Sequence, residues 1–93
     1  MAVPRVNKED LVNYHFINHE VLESEREIYL RRQLLDEAMI LGNGEKHKVK
    51  IVIETTVGPI MVETTVWETT DSHVELKSGL DIPIYCIRDV IIY

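Results

Sequence analysis

The half of the chain from Lys48 to Tyr93 is a succession of short apolar segments separated by turns, and it constrains the fold more than any other feature. Apolar residues fall at every second position within the segments, which is typical of half-buried strands. Short polar residues and glycines supply the turns between them. The pattern predicts a five-stranded antiparallel meander. Its inward-facing residues are Val49, Ile51, Ile53 and Thr55; Ile60, Val62, Thr64 and Val66; Val74 and Leu76; and Ile82, Ile84 and Cys86. The run from Val90 to Tyr93 closes the chain as the last strand.

A sheet of this size must bury one face, and closure into a barrel also removes its exposed edges. The first two predicted strands are the longest, so they can bend and contribute to both halves of a small barrel. About one helical turn separates the fourth strand from the fifth, which predicts a 3₁₀ turn around Ile87 to Asp89. The predicted fold class is therefore α+β, with a small five-stranded antiparallel barrel over residues 47–93.

The part that precedes the strands is predicted to be helical over residues 7–42, as one helix or a helical hairpin. Residues 1–6 are expected to form a loose tail, because Pro4 blocks regular structure there. Ser24-Glu25-Arg26-Glu27 matches a capping box that starts the second helix. Gly42-Asn43-Gly44 should end it, because glycine accepts the left-handed conformation. Its apolar residues would cover about half of the helix and pack on the sheet or on another copy.

Three patterns in the second half, G-P-I-x-V-x-T-x-V, V-x-L-K-x-G and I-P-I-x-x-I-x-x-V, resemble small SH3-like barrels. A helical segment followed by five strands is similar to Sm-like domains in particular. The polar loop motif that Sm-type RNA-binding proteins carry between their second and third strands is missing, and so is their second motif near the last turn. The resemblance therefore implies a fold but no RNA site. The whole chain also resembles a family of small bacterial proteins without an established activity.

Length and charge narrow the classes of function. The 93 residues make one domain, 1–93. The net charge of −6 weighs against general nucleic-acid binding, which draws its affinity from neutralised phosphates, and against anionic membranes. No apolar run approaches the ~20 residues that span a bilayer, and the first residues contain no signal-peptide h-region. The lone Cys86 cannot form an internal disulfide and is expected to be inert in its apolar strand. These features predict a cytoplasmic protein.

Eight residues are candidates for an interaction surface: Trp67, Tyr29, Ile40, Arg31, Arg32, Lys46, Lys48 and Lys50. Arg31 projects into the apolar arc of the second helix, where it either pairs with Glu27 one turn earlier and lies at the rim of the core, or anchors an acidic ligand or partner. Tyr29 and Ile40 lie on the opposite, polar face, as ordinary exposed residues or as a contact surface. Trp67 points away from the inward set of its strand. We expect the helix to cover it; the alternative is exposure to a partner.

A short basic cluster enters the first strand and consists of Lys46, His47, Lys48 and Lys50. Together with Arg31 or Arg32 it could bind phosphate. The favoured interpretation is a solvated edge strand that its lysines protect from edge-to-edge pairing.

His15 and His19 have the i, i+4 spacing that would let two imidazoles on a helix share a metal ion. The sequence offers no evident third ligand, so we expect an exposed pair without a metal. No nucleophile constellation, phosphate loop or cofactor motif is present. The leading hypothesis is a non-catalytic protein-interaction module, expected to self-associate as a homo-oligomer. The alternative is an Sm-like or SH3-like nucleic-acid binder, and an enzyme ranks third.

Overall fold

The computed structural model describes residues 2–93, which form one α-helix and two three-stranded antiparallel sheets. The α+β fold class is confirmed. A 3₁₀ helix at Lys8–Asn13 comes first, and the helix α1 spans Glu25–Glu45. The strands are β1 (Val49–Thr55), β2 (Gly58–Thr64), β3 (Val66–Thr69), β4 (His73–Leu76), β5 (Asp81–Pro83) and β6 (Ile87–Ile91). The first sheet has the order β2-β1-β6, and the second has the order β3-β4-β5.

The prediction of five strands in one closed barrel is wrong, because the second predicted strand is divided at Thr65 into β2 and β3. Thr65 is buried, and its carbonyl oxygen accepts a hydrogen bond from the amide of Lys77 at 3.0 Å. The segment bends there, so that β2 pairs with β1 and β3 pairs with β4. No strand of one sheet pairs with a strand of the other within residues 2–93. The predicted 3₁₀ turn lies earlier than expected, at Ile84–Cys86, and β6 follows it directly.

Helix α1 joins the two sheets, because it packs on β3 of one and β6 of the other. Its buried residues are Arg31, Leu35, Ala38 and Gly42. Spacings of four, three and four residues place them on one face of the helix. The start of α1 is as predicted, since the Ser24 hydroxyl accepts a hydrogen bond from the amide of Glu27 at 3.1 Å.

The end of α1 differs from the prediction, because the helix continues to Glu45 and Lys46 takes the left-handed conformation with φ 55°. Gly42 serves a different purpose. A Cβ at Gly42 would lie far inside van der Waals contact of the Val66 carbonyl oxygen and 2.9 Å from Cγ2 of Thr65. The glycine therefore lets the helix approach the backbone of β3 closely.

Residues 2–24 wrap around the first sheet. Of the two alternatives for the helical part, a single helix is confirmed, although it spans Glu25–Glu45 and not residues 7–42, and the helical hairpin is wrong. The loose tail over residues 1–6 is also wrong for the described residues. Met1, which belongs to that predicted tail, lies outside them. The amide of Val6 donates to the carbonyl oxygen of Met61 at 2.9 Å, and the amide of Met61 donates to Pro4 at 2.8 Å. After the 3₁₀ helix, the amide of Ile17 donates to the carbonyl oxygen of Glu54 in β1 at 3.1 Å. Backbone pairing with β2 and β1 thus fixes the segment.

One hydrophobic core connects the sheets, α1 and the 3₁₀ helix, to which Leu11 belongs. The alternation predicted for the strands is confirmed by the burial of Val49, Ile51, Ile53, Ile60, Val62, Val66, Val74, Leu76 and Ile82. Full burial of such a side chain contributes about 1.5–3 kcal/mol. Ile84 and Cys86 are also buried, in the 3₁₀ turn instead of a strand. Among the helices of the described residues, none combines the length and the apolar character needed to cross a membrane.

Candidate functional site

Arg31 is a structural anchor, with 5% of its surface exposed. Its Nη1 and Nη2 donate to the two carboxylate oxygens of Glu20 at 2.7 and 2.6 Å, and Nη1 also donates to the carbonyl oxygen of Ile87 at 2.9 Å. The guanidinium therefore ties α1 to β6 and to the segment that precedes the helix. The partner expected from the helical spacing, Glu27, instead accepts a hydrogen bond from the Ser24 hydroxyl at 3.0 Å.

The Glu20 carboxylate is held in its charged form. Hydrogen bonds from the Arg31 guanidinium lower the pKa of Glu20 below its ordinary value of 4.5, although partial burial acts in the opposite direction. Because this ion pair occupies the guanidinium, Arg31 is not available as the anchor for an acidic partner. Sequence reasoning missed Glu20, since the residue lies in an irregular segment where no periodic spacing indicates a partner.

Two further members of the predicted interaction surface are already engaged with the chain itself. Arg32 donates to the carbonyl oxygen of Asp71 at 3.1 Å, and its guanidinium lies 3.7 Å from the carboxylate of Asp36. The ammonium group of Lys50 lies 5.1 Å from the centre of the Tyr93 ring, in a cation–π arrangement. The basic cluster therefore does not combine with the arginines into one phosphate-binding patch.

The remaining two lysines of the cluster lie at different cavities. Lys48 lines a small polar cavity that also contains Glu63 and Arg5, which form an ion pair with each other at 2.5 Å. Lys46 lines another cavity together with Trp67. The structure thus divides the cluster among separate surfaces. The interpretation of the first strand as a protected edge strand is wrong, because β1 lies between β2 and β6.

The cavity beside Trp67, here called the indole pocket, has a volume of about 240 Å³. Its lining residues are Gly42, Asn43, Lys46, Thr65, Trp67 and Lys77. The prediction that the helix covers Trp67 is wrong, because 44% of this side chain is exposed. Val66 is the residue of β3 that enters the core, and α1 packs on its backbone at Gly42. Sequence reasoning also missed Lys77, which the bend at Thr65 brings to the same cavity.

A second cavity, here called the helix–sheet groove, lies between α1 and the first sheet and has a volume of about 490 Å³. Its apolar lining residues are Val3, Leu22, Leu30, Leu34 and Val52, and its charged ones are Glu27, Arg31, Arg88 and Asp89. Leu30 is 44% exposed, so the groove leaves an apolar helix residue open to solvent. Of the charged side chains, Arg88 pairs with Glu54 at 2.7 Å and Asp89 accepts the amide of Val90 at 2.8 Å. Most charged side chains at the rim of the groove therefore already have hydrogen-bond partners within the chain.

The exposed helix residues Tyr29 and Ile40 line neither of these cavities. They are 62% and 68% exposed. They lie eleven residues apart, which places them on one face of α1, away from the buried face. The structure therefore separates them from Leu30 and from Trp67.

A row of three carboxylates crosses the outer face of the second sheet. Glu68 of β3 lies opposite Glu75 of β4, which lies opposite Asp81 of β5. None of the ion pairs in residues 2–93 involves these three side chains. Like charges opposite each other on adjacent strands are destabilising.

His15 and His19 do not lie on a helix, because both belong to the irregular segment between the 3₁₀ helix and α1. The carbonyl oxygen of His15 accepts a hydrogen bond from the amide of Thr56 at 2.9 Å. The helical i, i+4 geometry therefore does not arise. Over residues 2–93, no group of three or more His, Cys, Asp or Glu residues is arranged to hold a metal ion.

Cys86 is buried in the 3₁₀ turn before β6. Its Sγ donates to the carbonyl oxygen of Pro83 at 3.0 Å. Burial raises the pKa of the thiol to about 11, because the charged thiolate is poorly solvated there. The thiol therefore has little nucleophilic character at neutral pH.

Comparison with known proteins found no matching family model and no significant match among curated proteins or solved structures.

Proposed function

We propose that the protein is a non-catalytic interaction module that self-assembles as a homodimer through the helix–sheet groove. The observation that carries this proposal is an open apolar groove of about 490 Å³ in which Leu30 is 44% exposed. Exposed apolar surface rimmed by polar residues is typical of protein–protein contact sites. The occupant of the groove is a second copy of this chain, related by a two-fold axis.

The rest of the surface supports self-association at this place. The chain covers the β2 edge of the first sheet, since residues 4–6 pair with β2, and α1 packs on the edge strands β3 and β6. The edge strand β5 has only three residues and ends in Pro83, which has no amide to donate. Assembly through strand pairing is therefore disfavoured, and the groove is left as the candidate interface.

The groove also has the self-complementary character that a two-fold interface requires. Such an interface uses the same patch on both copies. Leu30 projects from the patch, and the recess beside it, lined by Leu34 and Val52, can receive the Leu30 of the partner. The charged side chains at the rim already have partners within the chain, Arg88 with Glu54 and Glu27 with Ser24, so the apolar contacts would supply the stability of the dimer.

The state of the potential catalytic groups supports a non-catalytic role. The Glu20 carboxylate accepts two hydrogen bonds from Arg31, and the thiol of Cys86 is buried with a raised pKa. Both groups are thus engaged in holding the fold.

The experiment is light scattering behind size exclusion across a concentration series, with the variants Leu30→Glu and Ile40→Glu. Both residues are exposed and apolar on α1, but only Leu30 lines the groove. We expect a dimer for the natural chain and for Ile40→Glu, and a monomer for Leu30→Glu, because a buried carboxylate without a partner is costly. A monomer of the natural chain at every concentration, or a dimer that only Ile40→Glu disrupts, would contradict the proposal.

For the fold, we propose that the two sheets are the halves of an open SH3-like or Sm-like barrel. Three features support this. β2 and β3 form one bent segment shared by both sheets, a 3₁₀ turn precedes the last strand, and β6 returns to pair with β1. A cytoplasmic location likewise stays a prediction from the sequence.

The second candidate function is single-stranded nucleic-acid binding, and the exposed indole of Trp67 beside Lys46 favours it. The net charge of −6 and the engagement of Arg31, Arg32 and Lys50 within the chain act against it. Binding of single-stranded RNA at low salt that weakens steeply as salt is added would support this candidate. No detectable binding at low salt would eliminate it.

A further inference from the structure

We propose that the indole pocket binds a small planar aromatic anion, with the Trp67 indole against the ring and the ammonium groups of Lys46 and Lys77 on its carboxylate or phosphate. This site is separate from the helix–sheet groove, and the inference does not depend on the proposed dimer.

The backbone around the pocket is fixed on three sides. The amide of Lys77 donates to the carbonyl oxygen of Thr65 at 3.0 Å. The amide of Lys46 donates to the carbonyl oxygen of Gly42 at 3.0 Å, and Gly42 packs directly on β3. The two lysines and Trp67 therefore start from positions that three different elements hold in place, which reduces the entropy lost on binding a ligand.

Lys46 has an unfavourable backbone conformation for a lysine. Within residues 2–93 it is the only residue other than glycine with a positive φ, at 55°. Glycine is the usual residue at such a helix end, and both Gly42 and Gly44 lie nearby within α1. Strained residues of this kind cluster at ligand sites. This conformation therefore favours a functional role for Lys46, which lines the indole pocket.

The charge of the pocket suits an anion. Neither Lys46 nor Lys77 belongs to an ion pair in the part of the chain that the structure describes. The C-terminal end of α1 contributes roughly half of a negative charge, which the two ammonium groups outweigh.

The size and the shape of the pocket suit one ring. Its volume of about 240 Å³ lies just below the ~300–1,000 Å³ of pockets that enclose drug-sized ligands. Trp67 is 44% exposed and lines the pocket, so its indole is accessible to a ring, and aromatic contacts gain energy beyond the burial of apolar area. A ring that carries a single anionic group is thus the class of ligand that uses all three side chains.

The test uses the fluorescence of the protein, because Trp67 is its only tryptophan and reports the site directly. Four probes separate the parts of the ligand: benzoate and phenyl phosphate have a ring and an anion, benzyl alcohol has only the ring, and inorganic phosphate has only the anion. We expect both aromatic anions to change the indole emission saturably. The better of the two identifies carboxylate or phosphate as the preferred anion.

We expect benzyl alcohol and inorganic phosphate each to bind at least about tenfold more weakly than the better aromatic anion. Benzyl alcohol lacks the charged hydrogen bonds, and inorganic phosphate lacks the stacking. The single indole N–H resonance of the protein provides a second readout, which should shift on addition of the same probes. An equal response to benzyl alcohol, or no saturable response to either aromatic anion, would overturn the proposal.

Lysine variants test the role of the charges. Lys46→Gln and Lys77→Gln should each weaken binding roughly tenfold or more, as expected for a lost hydrogen bond to a charged group. Lys48→Gln is the matched control, because it removes the same charge from a different cavity and should leave binding unchanged. Unchanged binding in both pocket variants, or an equal loss in Lys48→Gln, would show that the anion is attracted by the general charge of the surface. Circular dichroism checks that each variant is folded.

Discussion

Glu20 and Arg31, eleven residues apart, form a bidentate ion pair in which each carboxylate oxygen accepts one hydrogen bond from the guanidinium. Arg31 is almost fully buried, whereas the Glu20 side chain is 33% exposed. The arginine therefore depends on this pair for its solvation more than the glutamate does. The pair also fixes the direction in which the chain enters α1.

Replacing Glu20 should destabilise the fold, because it leaves a buried guanidinium without its anion. For Glu20→Ala we expect a loss of about 2 kcal/mol in the free energy of unfolding, less than for a fully buried pair because water reaches the carboxylate. Urea denaturation measures this loss. Glu23→Ala, at an exposed position of the same segment, is the control and should change the stability little. Equal stability of the two variants would mean that water solvates Arg31 adequately.

The same pair predicts a dependence of stability on pH. The pKa of Glu20 is lower in the folded state than its ordinary value of 4.5, so its contribution to stability is fully present above that value. The contribution is lost as the pH falls below 4.5 through the folded-state pKa. Urea unfolding from neutral pH down to about pH 3 should therefore show a difference between the natural chain and Glu20→Gln that shrinks with acidification. A difference that stays constant would disprove this linkage.

Two glycines of α1 should respond in opposite directions to the same substitution. Gly42→Ala places a methyl group against the backbone of β3 and should cost about 1–3 kcal/mol of stability. Gly44→Ala meets nothing within 4 Å and should stabilise the helix by roughly 0.5–1 kcal/mol. Thermal and urea unfolding of both variants check the prediction. Stabilisation by both substitutions would mean that α1 lies further from β3 than described.

The carboxylate row on the second sheet predicts a stabilising substitution. Glu75 lies between Glu68 and Asp81, so Glu75→Lys replaces two repulsions by two attractions and should stabilise the fold by about 0.5–1 kcal/mol at low salt. The gain should decrease as salt screens the charges. Glu37→Lys, at an exposed position of α1, changes the net charge equally and serves as the control. An equal gain in both variants would attribute the effect to net charge alone.

The reactivity of Cys86 should report on unfolding. Its pKa of about 11 leaves almost no thiolate at neutral pH, and burial blocks access to the sulfur. In the native state we expect labelling by an aromatic disulfide reagent to be as slow as unfolding, and to become fast in denaturant. Fast, complete labelling of the native protein would instead indicate that the 3₁₀ turn before β6 opens locally.

The buried residues within the strands were predicted well, because the alternation of buried and exposed positions depends only on the order of residues along one strand. The sequence predicted that the second long strand can bend, but it did not predict that the bend at Thr65 divides this strand in two. Thr65 was expected on the face opposite the inward set and is instead buried at the junction of β2 and β3. The position of Trp67 was also predicted wrongly. Which face of a sheet a helix covers depends on how the chain crosses between sheets, and alternation along the strand contains no information about that crossing.

The predictions for the charged residues and the glycines of the helical half were wrong for a different reason. Helical spacing suggested Glu27 as the partner of Arg31, but the N-cap uses Glu27 and the partner comes from an irregular segment. Gly42 matched a helix stop, yet a glycine that ends a helix and a glycine that permits close packing are identical in sequence. Only the position of Val66 in space distinguishes the two.

The wrap of residues 2–24 has a consequence for the order of events during synthesis. The N-terminal residues leave the ribosome first, but the amide of Val6 finds its acceptor only when Met61 has been made. The Arg31 guanidinium can donate to the carbonyl oxygen of Ile87 only when that residue, 56 positions further along the chain, has been made. Long-range contacts of this kind slow folding, because a large loop must close before they form. The segment of residues 4–17 therefore lacks its backbone partners until β1 and β2 have been made, and the hydrogen bond that ties α1 to β6 forms only after Ile87 has emerged.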